Sequence, residues 1–291
     1  MNVMISVNDK YADKVESMLL SLRNNCNQEI TVYLANHSLS DKSLEHLSLF
    51  LNKNCDIKLI NIPINHTVFD ELPIVSPNLF SIEIFYRIVA PYILPESVKR
   101  ILWLDADIII KENIDDFYNM DFQNRSLIAC MDNSECLPEK AMEIKKRLNI
   151  SNDHVYFNSG VLIMNLARMR QRHTLDEICT ICRSLKDKLF WPDQDILNVL
   201  YEKDVLYTDL YRYNINPVCF WDTFLHEYEQ IKIIHYYGPN KPWQFFKGLD
   251  PKFDYWKIQK QRGRFLRYFC TIFLKPLWLL KLLKRCYHLK K

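Results

Sequence analysis

At 291 residues the chain can bury a full core and has about the size of one large α/β domain. A composition of 48% hydrophobic and 25% charged residues excludes a disordered chain. The net charge of +3 hides an asymmetry: residues 262–291 hold nine Lys/Arg and no acid, leaving 29 basic against 35 acidic residues, a net −6, on residues 1–261. An acidic body with a basic appendage argues against a nucleic-acid-binding core and predicts no nucleic-acid partner.

In chain order, "NVMISV" (2–7) reads as a buried strand and residues 11–25 as an amphipathic helix. A strand over 29–36, a helix over 40–53 opened by a Ser cap, and a strand over 56–63 follow. This alternation of strands apolar on both faces with helices predicts a Rossmann-like, doubly wound and mostly parallel sheet. Residues 81–94 read as a helix as far as Pro91 and lead into "RILWLDADIII" (100–110). Further strands are expected over 127–132, 157–165 and 232–237, and helices over 138–148, 174–187 and 194–202. No repeat or linker divides the chain. One domain over 1–261 with a basic tail over 262–291 is the simplest organisation.

The N-terminus lacks a basic n-region and a cleavable apolar segment, so no signal peptide is expected. Nine cysteines without framework spacing point to free thiols in a reducing cytosol, where the Asn65-His66-Thr67 sequon carries no meaning. Cys179 and Cys182 share the apolar face of the 174–187 helix, a structural pairing rather than a metal site.

The chemistry concentrates in four stretches. Asp105 and Asp107 interrupt an almost wholly apolar run, where unpaired buried carboxylates would cost several kcal/mol. Two residues apart in an extended chain, they can present both carboxylates to one spot and suit Mg²⁺ or Mn²⁺; a simple strand cap is the alternative. In "IKIIHYYGPNKPW" (231–243), His235 is a further ligand type that Mn²⁺ accepts. Lys241 is a point charge for a phosphate, and Gly238 allows close backbone approach or a turn with positive φ. A lone buried histidine is otherwise an ordinary core residue. "FNSGVLIMNL" (157–166) opens a strand with Asn158-Ser159-Gly160. "WPDQDILNVLY" (191–201) places Asp193-Gln194-Asp195 where a helix begins, so capping accounts for at least one carboxylate. Gln194 has no evident structural reason to lie between them, and a polar triplet there could hold sugar hydroxyls.

In this order and spacing the four stretches resemble the family-8 retaining glycosyltransferases, which include bacterial lipopolysaccharide hexosyltransferases and glycogenin. The likeness covers most of residues 2–243. It implies a GT-A fold, a UDP-hexose donor (UDP-glucose or UDP-galactose) and a divalent metal, commonly Mn²⁺ and alternatively Mg²⁺. Carried over position by position, Asp105, Asp107 and His235 would hold the metal, and Gly238 and Lys241 the diphosphate. Ser6, Asn8 and Tyr11 would face the uridine, with Arg87 near the donor; Asn8 stands where several members of the family have Asp. Asp132, Asn158, Asp193 and Gln194 would line the hexose, with Gln194 and Asp193 in the catalytic positions and Gln194 beneath the anomeric carbon.

The reaction expected is hexosyl transfer to a glycan or glycolipid acceptor, such as lipopolysaccharide or a surface polysaccharide. Alternatives are a metal-dependent phosphoryl or nucleotidyl transferase and an inactive membrane-bound scaffold. In residues 262–291 no apolar run reaches the roughly 20 residues of a bilayer span. Their mixture of basic, aromatic and leucine residues is that of a segment attracted to anionic lipid. The expected location is therefore cytoplasmic, peripherally bound to the inner face of the membrane.

Overall fold

The computed structural model describes residues 1–64, 81–244 and 252–264. Nine strands are found among them: β1 (Asn2–Ser6), β2 (Ile30–Asn36), β3 (Ile57–Pro63), β4 (Arg100–Leu104), β5 (Ile108–Ile110), β6 (Leu127–Met131), β7 (Phe157–Asn165), β8 (Val205–Thr208) and β9 (Ile233–His235). Seven form one sheet in the order β3-β2-β1-β4-β7-β6-β8, and β5 pairs with β9 in a separate two-stranded sheet. β3, β2, β1 and β4 run parallel, β7 is antiparallel to both β4 and β6, and β8 is parallel to β6. The α/β fold with a mostly parallel sheet matches the expectation.

Because side chains alternate along a strand, the apolar strands feed two cores. Val3, Ile5, Val32, Leu34, Leu102, Leu104, Val161 and Ile163 bury one face, together with Val15, Leu19 and Leu22 of the helix Asp9–Asn24. Met4, Ala35, Ile101, Trp103, Leu162 and Met164 bury the other. Ile178 and Cys182 of the helix Leu175–Leu185 and Ile196 and Leu197 of the helix Pro192–Leu200 cover that second face. Cys182 is thus a core residue, as its face of the helix predicts.

Helix starts follow local chemistry. Asn8 caps the helix Asp9–Asn24 by accepting from the Lys10 N–H at 3.1 Å. Ser40 caps Asp41–Asn54, and Thr174 forms a capping box with Glu177. Pro192 occupies the first turn of its helix, which therefore begins two residues earlier than expected.

Three sequence expectations need correction. Residues 81–94 do not form one helix: a 3₁₀ turn over Ile82–Arg87 is followed by a short helix over Ala90–Ile93. Pro91 has no N–H to continue a helix from 87, and the Arg87 guanidinium is drawn into the protein interior. The strand in "RILWLDADIII" ends beside the carboxylates as expected, at Leu104, but Asp105 to Asp107 are a turn leading into a second strand rather than the extended chain assumed for them. β8 falls in a stretch read as carrying no strand.

Residues 265–291, and with them most of the basic tail, lie outside the described residues, as does the Asn65 sequon. The described start of the tail, residues 262–264, packs on the body: Arg262 makes a buried ion pair with Glu16 and donates to Ser17 Oγ at 2.6 Å. Among the described residues no helix is long and apolar enough to cross a membrane.

Candidate functional site

Ligands in open α/β sheets bind beyond the carboxyl ends of the parallel strands. Ser6 ends β1 and Asn8 follows it, Asp105 and Asp107 follow β4, and Asp132 follows β6. β7 runs the other way and so brings its first residues, Asn158 to Gly160, to the same end, where Gly160 C=O accepts from the Asp105 N–H at 3.0 Å. The helix Pro192–Leu200 presents Asp193 and Gln194 there.

The break after β4 creates the carboxylate–imidazole group. β5 leaves the main sheet and pairs Ile108 with His235 of β9, and the Tyr236 N–H donates to Asp107 C=O at 3.0 Å. His235 Nε2 then lies 3.3 Å from Asp107 Oδ1 and 3.8 Å from Asp105 Oδ2. Asp105, Asp107 and His235 each place one ligand atom within 4.8 Å of the others, the only such group of acidic, His or Cys residues among the described residues. The other Asp105 oxygen is anchored, accepting from Arg87 Nη2 at 2.8 Å and Trp103 Nε1 at 3.0 Å.

These residues fit a hard divalent cation. His235 Nε2 is buried without a hydrogen-bond partner, which is costly unless something else occupies its lone pair. Gly160 keeps the space beside it open: a Cβ there would lie 2.1 Å from His235 Cε1 and 2.8 Å from Asp105 Oδ2. Lys241 Nζ bonds Asp107 Oδ2, so the buried carboxylate has a cation beside it. Burial alone would raise the Asp107 carboxyl pKa, but the Lys241 charge and the His235 ring hold it well below the usual range. Lys241, lowered by burial, is raised overall by Asp107.

Around this group lies a buried polar network. Arg87 is its cationic centre, donating from Nη1 to Ser159 C=O at 2.7 Å and Ser159 Oγ at 3.1 Å. The same nitrogen lies 3.2 Å from Asp193 Oδ2, and the guanidinium stacks over Trp103 at 4.4 Å. Burial raises the Asp193 carboxyl pKa against the opposing pull of Arg87. Gln194 Oε1 accepts from the Ser159 N–H at 3.0 Å and from Asn158 Nδ2 at 3.2 Å, while Nε2 donates to Asp132 Oδ2 at 3.2 Å. Gln194 therefore does have a structural place, which sequence pattern could not show because its partners lie on two other elements. Asp195 turns away, accepting from the Phe190 and Trp191 N–H groups just ahead of the helix and pairing with Arg147. The N-cap residue is Trp191, without a side-chain cap, so the capping expected of one of these carboxylates is not found.

The remaining predicted residues sit nearby. Asn8 Nδ2 reaches Ser81 Oγ at 3.4 Å, and Tyr11 meets the Trp243 ring edge-to-face at 5.7 Å. Ser6 Oγ is buried without a hydrogen-bond partner. Gly238 holds φ +85°, a conformation that L side chains rarely adopt, and so provides the turn between His235 and Lys241.

Sequence reasoning missed Asn214, which is fully buried and places Oδ1 2.8 Å from His235 Nδ1. The sequence carries little signal for it: in "YRYNINP" Asn214 lies between Arg212 and Asn216, ahead of Pro217, a composition that reads as a turn.

The sequence profile described as Glycosyl transferase family 8 matches residues 2–246. Among similar curated proteins, a lipopolysaccharide 1,2-glucosyltransferase of Escherichia coli K12 is 25% identical, the match covering 89% of this chain and 77% of that protein. General stress protein A of Bacillus subtilis is 23% identical over 84% of this chain and 87% of its own length. The galactosyltransferase LgtC, solved in complex with donor and acceptor sugar analogs, superposes with a TM-score of 0.75 at 21% identity, covering 90% of this chain and 96% of LgtC. That likeness establishes the GT-A fold seen here. The profile spans the sheet and the whole site at its carboxyl edge, and by that match the chain belongs to glycosyl transferase family 8.

Proposed function

We propose that the protein is a retaining hexosyltransferase that moves glucose or galactose from a UDP-sugar to a glycan or glycolipid acceptor. The observation that carries this reading is the Asp105–Asp107–His235 group at the carboxyl edge of the sheet, beside a Gln194 amide tied at both ends. Asp105, Asp107 and His235 would hold Mn²⁺ or Mg²⁺, which supplies Lewis-acid stabilisation of charge on a leaving diphosphate.

The chain's own groups account for the rest. Lys241 would exchange Asp107 for a phosphate oxygen, and the turn at Gly238 brings the backbone close to the diphosphate. Ser6, Asn8 and Tyr11 would meet the uridine, and the unpartnered Ser6 Oγ supports a ligand on that side. Asp132, Asn158 and Asp193 would fix the hexose hydroxyls, with Arg87 holding Asp105 and Asp193 in place. Gln194 Oε1 already accepts two hydrogen bonds, which lowers its nucleophilicity. A same-face attack is thus favoured over a covalent intermediate, with Gln194 stabilising positive charge at the anomeric carbon.

The test is UDP release from a panel of UDP-sugars with Mn²⁺, with Mg²⁺ and with chelator, alongside Asp107→Asn. Metal-dependent release from one UDP-hexose, lost in the variant, supports the reading; no release and no UDP binding would refute it. Wild-type turnover by Gln194→Ala would remove its assigned role. The basic segment is proposed to hold the enzyme on anionic membrane, where a glycolipid acceptor would lie. Truncation after Arg264, which spares the Arg262–Glu16 pair, should release the protein from anionic vesicles; unchanged partition refutes that part.

A further inference from the structure

We infer that Asn214 is a positioning residue that sets the tautomer of His235 and so turns the Nε2 lone pair toward Asp105 and Asp107. The inference rests on the proposed metal role of His235, but its core is a chain of hydrogen bonds whose direction can be traced from a backbone group.

The Gly160 N–H can only donate, and it donates to Asn158 Oδ1 at 3.0 Å. Asn158 Nδ2 then faces the acceptors Asp132 Oδ2 at 3.3 Å and Gln194 Oε1 at 3.2 Å, which fixes the orientation of that amide. Asn158 Oδ1 also receives Asn214 Nδ2 at 3.0 Å, so the Asn214 oxygen must point the other way. That oxygen lies 2.8 Å from His235 Nδ1. Two acceptors cannot share this contact, so Nδ1 carries the proton.

In a neutral ring the proton on Nδ1 leaves Nε2 as a bare lone pair. Free imidazole side chains favour the opposite tautomer, with the proton on Nε2, and that form would aim an N–H at the cation position. Asn214 is fully buried, as is Nε2, so both are shielded from bulk solvent. The Tyr237 ring packs edge-on against His235 at 4.9 Å and limits rotation of the imidazole. Support of a ligand histidine through its second nitrogen is worth about 10–100-fold in metal affinity.

The first test is nitrogen NMR of the full, metal-free chain with ¹⁵N-labelled histidine at about pH 8.5, well above the ordinary imidazole pKa. The resonances lost in His235→Ala identify the residue. The expected wild-type pattern is a proton on Nδ1; a proton on Nε2 overturns the inference without any variant having to fold.

The second test is Mn²⁺ affinity by loss of the free-ion electron paramagnetic resonance signal. Asn214→Leu should weaken binding about 10–100-fold. Asn214→Asp keeps an acceptor for Nδ1–H and should bind Mn²⁺ more tightly than Asn214→Leu. In a His235→Ala background, Asn214→Leu should change nothing further. An equal loss in that background, or none in the wild-type background, overturns the inference. A wild type that binds no Mn²⁺ while its proton sits on Nδ1 refutes the metal reading instead, and the two failures are thereby distinguished.

Discussion

The β1–β2 part of the sheet and the β4–β7 part are both buried, but by different chemistry. Val3, Ile5, Val32 and Leu34 meet helices through aliphatic contacts. In β7 the opening residues Asn158 and Ser159 are buried among Asp193, Gln194, Asn214 and His235. Apolar burial is non-directional, so the first region needs only the right volume on the right face. Polar burial is directional, and every donor needs an acceptor at the right angle. The second region therefore holds specific atoms in specific places, and the unpartnered His235 Nε2 in it is where a ligand is expected.

Leu34→Ala should separate the regions most strongly. It removes a fully buried side chain and should cost about 3–5 kcal/mol in denaturant unfolding, with turnover of the folded enzyme unchanged. A turnover loss larger than the stability loss would mean that the regions are not independent.

Gly160→Ala should do the reverse. Its Cβ cannot coexist with His235 as placed, so hexosyl transfer should fall on the order of 100-fold, more than the change in unfolding midpoint explains. Activity within twofold of wild type would show that His235 can move without consequence.

Asp204 tests whether polar burial away from the site follows the same logic. It accepts from Arg168 Nη2 at 2.9 Å and Ser126 Oγ at 2.5 Å. Burial raises its carboxyl pKa, but the Arg168 and Ser126 bonds bring it below the ordinary value. A lowered folded pKa gives stability that is present above about pH 4 and lost as pH falls through the folded value. Asp204→Asn should cost roughly 1–3 kcal/mol at neutral pH, and the gap from wild type should narrow on acidification. A gap that widens in acid contradicts this assignment.

The smallest effect has an unusual sign. Lys241 neutralises Asp107 in the absence of nucleotide, so Lys241→Met should tighten Mn²⁺ binding by roughly 1 kcal/mol, about fivefold, although it removes a phosphate partner. Weaker binding would mean that Lys241 supports the cation position rather than competing for it.

How far the sequence was legible follows the same division. The parallel sheet and its two apolar faces could be read because aliphatic periodicity reports burial directly. The candidate ligands could be read because Asp105, Asp107 and His235 each interrupt an apolar run. Residues 81–94 could not, because Ile, Phe and Tyr at those positions suit a helix until Pro91 and the inward pull on Arg87 decide otherwise. Gln194 lacked an evident purpose in sequence because its partners, Ser159, Asn158 and Asp132, come from a strand and a loop distant in the chain.

The sequence by itself determined the α/β class, the helix caps, the acidic body with its basic tail, and which polar residues were too costly to bury without purpose. These are properties of neighbours along the chain: periodicity, capping and charge. The tertiary structure decided that β7 runs against β4 and so delivers Asn158–Gly160 to the site, and that β5 turns aside to meet His235. It also decided which atom of Asn214 faces the imidazole. Those choices depend on packing two cores at once and on closing a hydrogen-bond network across segments far apart in the chain, and no local pattern contains that information.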